Sequence, residues 1–214
     1  MKPLDQLVVR DGSALPVLLE WAREATNGLH VRPPDAAIAA ETLVEMQVST
    51  ASPLGALAYH TGGIAVHDGF LRVLGSAEDR SLRDHNHAAG ALDDGYVLVA
   101  DDVLGGFFAM NHGGFAGPDG AIHYLPPDKL DWADLGADYG DFLHWCFSGD
   151  LAGFYAELGW SRWLTEDLPD WDETWAFDPL PWTQGGADLA ALSRQTVPVD
   201  AVWRAKREFM ALAA

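Results

Sequence analysis

The sequence predicts an α+β fold: a single domain whose mainly antiparallel central sheet is flanked by helices and followed by a Trp-rich irregular C-terminal arm. Two observations predict it. In the middle of the chain, short apolar runs rich in β-branched and aromatic residues are separated by glycine turns. On both sides of these runs, apolar residues recur at helical spacing. With 214 residues, 49% of them hydrophobic, the chain can bury one sizeable core.

Residues 1–50 are predicted to form two helices. The first extends from Ser13, a favourable N-cap, to about Ala25, where an Asn-Gly pair ends it. The second begins at Pro34 or Asp35, and its alanine-rich composition favours a helix. Between them, Val31–Pro34 is interpreted as a short extended connector.

Residues 51–159 are predicted to hold the sheet and its covering helices. Ser52–Gly55 has the composition of a turn, while Ala56–Tyr59 is compatible with a strand or a short helix. The polar stretch Gly75–Gly90 is predicted to be an exposed loop.

The strands are predicted from apolar runs between turn residues. An Asp-Gly pair at positions 68 and 69 favours a tight two-residue hairpin turn. The predicted strands are Ile64–Val66, Phe70–Leu74, Tyr96–Ala100, Phe107–Met110 and Ile122–Tyr124. A short extended piece near Leu130–Trp132 is expected to pair next.

Two helices are predicted after the strands. Asp138 is a good N-cap for the first, and Asp150 for the second, which ends at Gly159. The apolar stripe of the first helix consists of Tyr139, Phe142, Leu143, Cys146 and Phe147.

Residues 160–214 are predicted to form the Trp-rich arm and a C-terminal helix from about Asp200 to Leu212. The segment Trp160–Trp182 places five tryptophans among acids and prolines. It is interpreted either as an irregular arm wrapped over the core or as an aromatic-acidic surface that binds a sugar or a peptide. The arm is favoured because large aromatic side chains mostly serve packing.

The charge of the chain is strongly negative. The net charge is −19, and residues 93–178 hold 18 acids but only two basic residues. Direct binding to nucleic acid is therefore disfavoured, because it needs lysines and arginines that displace counterions, whereas a basic protein partner is compatible with this charge. No apolar run is long enough to span a membrane, and the single cysteine and missing signal peptide predict a cytoplasmic protein.

The side chains suited to chemistry form no recognisable catalytic motif. His85-Asn86-His87 supplies two histidines that could share a metal ion. No third ligand lies at a spacing typical of metal sites, so the segment is interpreted as a solvated polar loop. Asp101 and Asp102 should point to opposite faces of a strand, which favours turn capping over a carboxylate pair. Cys146 lies in the apolar stripe, which predicts a buried thiol with a raised pKa. No catalytic residue, metal site or cofactor is predicted.

Several segments, in order along most of the chain, carry a family resemblance. They are Ser52–Ala56, Thr61–Gly63, Leu71–Gly75, Ala100–Ala109, Tyr139–Leu143, Ser148–Leu151, Pro181–Thr183 and Pro198-Val199. With these segments the chain resembles a bacterial set of uncharacterised proteins, the domain-of-unknown-function family numbered twenty-six twenty-five. The resemblance implies no activity for this chain.

A looser resemblance covers Tyr96 through Trp145. The expected order there is a strand, a glycine turn, a strand ending in a polar residue, another strand, and a helix that begins near an aromatic residue. This order is similar to that of the SUKH superfamily, which contains bacterial immunity proteins and eukaryotic regulatory scaffolds. The resemblance implies an α+β fold and partner binding by analogy, and the Trp-rich arm has no counterpart in it.

Two function classes remain open, of which the residues favour the first. It is a non-enzymatic, immunity- or regulator-like domain that presents an acidic surface to a basic protein such as a toxin nuclease. The acids predicted to lie in loops and to contact this partner are Asp93, Asp94, Asp119 and Asp134. The alternative is a small-molecule-binding protein or small enzyme with a pocket near Arg72, Asp101, Asp102 and Asn111. An enzyme needs such side chains around one cavity, whereas a binder needs an exposed patch.

Overall fold

A seven-stranded antiparallel sheet forms the centre of the protein, whose computed structural model describes residues 1–160, 167–186, 188 and 191–213. Each strand pairs with the next one in sequence, so the strands lie in the order β1 to β7. They are β1 (Leu29–Arg32), β2 (Gly63–Val66), β3 (Leu71–Leu74), β4 (Tyr96–Asp102), β5 (Phe107–Asn111), β6 (Ala121–Leu125) and β7 (Ala133–Asp138). The predicted α+β class with a mainly antiparallel sheet is confirmed.

Helices cover both faces of this sheet. In the described part of the chain they are α1 (Leu4–Leu7), α2 (Leu15–Glu24), α3 (Ala36–Met46), α4 (Pro53–His60), α5 (Leu82–Ala89), α6 (Tyr139–Ser148), α7 (Leu151–Glu157) and α8 (Val199–Ala213). One core cluster joins the sheet to α2, α4, α6 and α7, and a second joins its other face to α5 and α8. Strand β4 is buried along its whole length because both of its faces are covered. No helix among the described residues has the length and apolar character needed to cross a membrane.

The C-terminal arm is more regular than predicted. It contains a two-stranded antiparallel sheet, formed by β8 (Glu173–Asp178) and β9 (Ser193–Pro198). Trp160 and Trp175 are buried in a third core cluster with Val103 and Leu104, which lie in the turn after β4. These two tryptophans therefore serve packing, while Trp163 lies outside the described residues.

Two predicted turn or loop segments are helical instead. Pro53 begins α4, and the Ser52 hydroxyl caps it by accepting a hydrogen bond from the Gly55 amide. Within the segment predicted as an exposed loop, Ser81 caps α5, which ends at Gly90 with φ 67°. Helix α5 buries Leu82, His85, Asn86 and Ala89. Polar composition concealed this helix because it is short and its buried face is partly polar.

Three details of the sheet also differ from the predictions. The expected connector near Val31 belongs to the edge strand β1, which is too short to show a period in sequence. The last strand begins at Ala133, just after the extended piece expected near Leu130–Trp132. The hairpin between β2 and β3 has a four-residue turn, residues 67–70, rather than a two-residue one, and His67, Asp68 and Gly69 adopt positive φ in it.

Candidate functional site

A buried ionic cluster lies between β3 and β4. Arg72 lies opposite Asp101 in the ladder, and its Nε donates to the Asp101 Oδ1 over 2.7 Å. The Arg80 guanidinium contacts the other carboxylate oxygen of Asp101. Burial alone would raise the pKa of Asp101, but the charges of Arg72 and Arg80 outweigh it and lower this pKa. The side chains of Arg72 and Asp101 are each 1% exposed, so solvent does not reach this pair.

The same arginines fasten the C-terminal arm to the sheet. Arg72 Nη1 donates to the carbonyls of Asp170, over 3.1 Å, and Glu173. Arg80 Nη1 donates to the carbonyl of Trp171 over 3.0 Å. The donors of the cluster are thus directed at the protein's own backbone, as expected of a structural clamp.

Asp102 holds the turn that follows β4. Its Oδ1 accepts from the amides of Leu104 (3.0 Å) and Gly106 (2.8 Å), and its Oδ2 accepts from the hydroxyls of Tyr124 (2.7 Å) and Tyr155 (3.0 Å). Burial raises the pKa of Asp102, and these hydrogen bonds offset the increase only in part. A Cβ at Gly106 would overlap both Asp102 and Tyr124, so the turn requires glycine there.

The four predicted pocket residues do not form one site. Arg72 and Asp101 are in contact, while the adjacent Asp102 has separate partners on β6 and α7. Asn111 lies at the other end of β5, opposite Tyr96. Its amide donates to the carbonyls of Phe115 and Pro118, and its oxygen accepts from the amides of Gly113 and Phe115. Asn111 therefore organises the glycine-rich loop after β5.

A polar cavity of about 270 Å³ lies beside the ionic cluster, between α5 and the start of α8. His85 lines it and contacts the Asp200 carboxylate over 3.1 Å. Burial, with the neighbouring Arg80 charge, lowers the pKa of His85. Arg80 Nε and His85 Nε2 have no hydrogen-bond partner, but both atoms lack accessible surface, so a molecule in the cavity does not reach them.

The fragment His85-Asn86-His87 lies on α5, not in the solvated loop that was predicted. Asn86 ties this helix to the sheet: its amide donates to the Leu98 carbonyl, and its oxygen accepts from the Leu98 amide over 2.7 Å. His87 is exposed and lies 3.0 Å from Glu45. Within the described residues, no three His, Cys, Asp or Glu side chains are grouped as a metal ion requires.

We call the surface formed by Asp93, Asp94, Asp119 and Asp134 the acidic end. Asp93 and Asp94 precede β4 and Asp119 precedes β6, at one end of the sheet, while Asp134 lies opposite His123 of β6. The amides of His112 and Gly114 donate to the Gly95 carbonyl, over 2.8 and 2.7 Å, and join the loop before β4 to the loop after β5. The Asp134 carboxylate lies near Gly117 of the second loop. Asp134 itself belongs to β7 rather than to a loop. All four residues are exposed.

An aromatic platform supports the acidic end. The ring of Phe115 stacks on Tyr96 at a centroid distance of 5.0 Å and lies 5.2 Å from Trp132. Of the four acids, Asp94 forms an ion pair with Arg207 of α8. The side chain of Asp119 is 75% exposed and contacts His112, itself 72% exposed. This end of the molecule thus presents solvent-exposed carboxylates on packed loops and on β7.

Two other groups suited to chemistry are buried. Cys146 is buried as predicted, and burial raises the pKa of its thiol well above the usual value. Sequence reasoning missed Lys206, whose Nζ donates to the carbonyls of Pro126 (2.7 Å), Pro127 (3.1 Å) and Lys129 (2.8 Å). Burial lowers the pKa of Lys206 to about 7. Its helical spacing from the apolar Val202 and Trp203 was the available signal.

Comparison with known proteins gives a family but no named activity. Residues 4–202 match the model of a family described as "Protein of unknown function DUF2625". "Putative uncharacterized protein YbfG" of Escherichia coli is 35% identical over 210 residues, which cover 95% of this chain and 94% of that protein. An "Uncharacterized protein" of Haemophilus influenzae is 38% identical over 207 residues, which cover 94% of this chain and 90% of that protein.

The matched family is the one numbered twenty-six twenty-five that the sequence segments resemble, and the match corrects the looser identification. The matched family is DUF2625 and not the SUKH superfamily. The order of elements between Tyr96 and Trp145 was therefore too general to identify a superfamily, and the likeness to immunity proteins is wrong.

Proposed function

This chain belongs to the DUF2625 family, and we propose that it is a non-enzymatic protein-binding domain whose acidic end docks a basic protein. The observation that carries the proposal is the convergence of Asp93, Asp94, Asp119 and Asp134, which come from three separate segments of the chain, on one exposed surface. Complementary charge of this kind steers association and raises its rate.

The contrast with the buried polar residues supports this proposal over a small-molecule site. Arg72, Asp101 and Asp102 are at most 1% exposed, and their polar atoms bond to other parts of the chain. A substrate would have to displace the Asp170–Glu173 backbone from the arginines of the cluster, or the tyrosine hydroxyls from Asp102, to reach these groups. At the acidic end, by contrast, a partner meets carboxylates without opening the fold.

Peptide selection tests the proposal. We expect random peptides selected on the wild-type protein to be enriched in lysine and arginine. The triple variant Asp93→Lys, Asp119→Lys and Asp134→Lys should lose this enrichment. Asp94 is left unchanged because its ion pair with Arg207 also holds α8.

A matched control variant distinguishes binding at the acidic end from attraction by the net charge of the whole protein. The variant Asp11→Lys, Glu20→Lys and Glu24→Lys changes three exposed acids outside the acidic end. Each reversal adds two charge units, which brings both variants from −19 to −13. The control should select the same basic peptides as the wild type. If it loses them as completely as the first variant does, binding follows net charge and the proposed site is absent.

The proposal also places the protein in the cytoplasm. The single cysteine, which is buried, supports this location, because secreted domains commonly rely on disulfides. Fractionation of cells that express the chain from its own gene tests it, and recovery in the periplasm or medium would contradict it.

A further inference from the structure

A largely apolar groove of about 400 Å³ lies between the edge strand β7 and helices α6 and α7. The buried Phe142 lines it together with three half-buried side chains, Leu135, Trp145 and Phe154. Large apolar side chains that remain partly exposed in one concave patch commonly mark an interaction site.

The walls of the groove are fixed by packing. The ring of Trp145 lies edge-on to Phe154 at a centroid distance of 5.0 Å and 6.0 Å from the ring of Phe142. A Cβ at Gly149 would overlap the Trp145 ring, so the glycine that caps α6 also allows the indole to lie across the helix end. Because the site is already formed, a ligand would not have to order it, and this favours binding.

The border of the groove is acidic. Asp141 lines it, and the exposed Asp138 caps the helix that carries Asp141, while Asp134 lies on the opposite face of β7, near Gly117. Residues 130–161 contain six acids and no lysine or arginine. A ligand that places an apolar group in the groove therefore meets negative charge around it, which favours basic neighbours in that ligand.

The outer edge of β7 is poorly suited to adding another strand. Gly136 adopts φ 64°, and its amide donates to the Asp134 carboxylate over 2.8 Å, which interrupts the row of free backbone donors. A second copy of this chain is also disfavoured, because both molecules carry a charge of −19. The remaining mode of binding is insertion of a side chain of a basic partner into the groove.

We propose that this groove receives a large apolar side chain, flanked by lysine or arginine, from the basic partner of the acidic end. The inference rests on the proposed function and adds an anchor to it. The acids would steer the partner, and the buried apolar contact would hold it, in the way that a few buried anchors dominate other interfaces.

Two fluorescein-labelled peptides test the anchor: Lys-Lys-Phe-Lys-Lys and Lys-Lys-Ala-Lys-Lys. At one salt concentration, the phenylalanine peptide should bind the wild-type protein about tenfold more tightly, because its ring leaves water. The variant Ala137→Phe fills the groove from β7 and should abolish this preference. Ala133→Phe adds the same ring to the same strand outside the groove lining and should retain it.

The outcomes distinguish the two proposals. Equal binding of the two peptides, or a preference that survives Ala137→Phe, overturns the anchor. If the peptides then still bind less tightly to the acidic-end triple variant than to its control, the proposed function stands without the anchor. If both triple variants bind the peptides equally, the proposed function itself fails. Sedimentation that shows a dimer which Ala137→Phe dissociates would instead assign the groove to self-association.

Discussion

The buried ionic cluster and the acidic end are built from the same residue types but use them in opposite ways. In the cluster, Asp101 is 1% exposed and contacts two arginines. At the acidic end, the side chain of Asp119 is 75% exposed and its contact is the equally accessible His112. A buried charge requires partners within the fold, whereas an exposed carboxylate remains available to another molecule. Converging charged residues therefore indicate a binding surface only where solvent reaches them.

The largest expected effect comes from breaking the cluster. Asp101→Ala leaves Arg72 and Arg80 buried without their carboxylate, and the free energy of unfolding should fall by about 3–5 kcal/mol. Chemical denaturation measures this change. Asp119→Ala is the matched exposed substitution and should alter the free energy of unfolding by less than about 0.5 kcal/mol. Similar losses in the two variants would show that the two regions do not differ as described.

The contribution of the buried Asp101 to the stability of the protein should also depend on pH. Its pKa is lowered in the folded protein, so its stabilising contribution is complete above the unfolded value of about 3.9 and is lost as the pH falls through the folded value. The raised pKa of Asp102 acts in the opposite direction. Comparison with Asp101→Asn isolates the first contribution, because this variant retains Asp102.

Denaturation at a series of pH values between about 5 and 2.5 measures the effect. The wild-type protein should lose more stability over this interval than Asp101→Asn. Parallel curves for the two proteins would contradict the assignment of the acid sensitivity to the cluster.

Within the acidic end, substitutions of Asp94 and Asp93 should have different, smaller effects on stability. Asp94 pairs with Arg207, with both side chains more than a third exposed, and Asp94→Asn should reduce the free energy of unfolding by about 0.2–1 kcal/mol. Asp93→Asn should change it less, and thermal denaturation of the two variants compares them. An equal effect would mean that the ion pair does not hold α8 to this loop.

Much of the fold could be predicted because its signals are local. The strands around Tyr96–Ala100 and the helix capped by Asp138 follow from periodicity and capping residues. Helix α5 could not be predicted in this way, because its buried face is partly polar. Asn86 on that face forms hydrogen bonds with the backbone of Leu98 in β4. The sequence also does not show that β8 and β9 pair, since 14 residues separate them.

The site was less predictable than the fold. The sequence predicts Arg72 and Asp101 near one pocket, and in the structure they lie opposite each other in the ladder of β3 and β4. What the sequence could not show was their burial, because that depends on the Asp170–Glu173 segment folding over them from a distant part of the chain. The position of Asn111 at the opposite sheet end follows from the strand direction, which was predicted but not applied to the proposed pocket.

The most direct test of the docking surface is the salt dependence of association. Stopped-flow mixing of the phenylalanine peptide with the wild type and both triple variants, from about 50 mM to about 500 mM salt, measures the association rate constant while the Debye length shrinks. Salt should slow association strongly for the wild type and the control, and weakly for the Asp93, Asp119 and Asp134 reversal. An identical salt dependence in both variants would contradict a role for the acidic end.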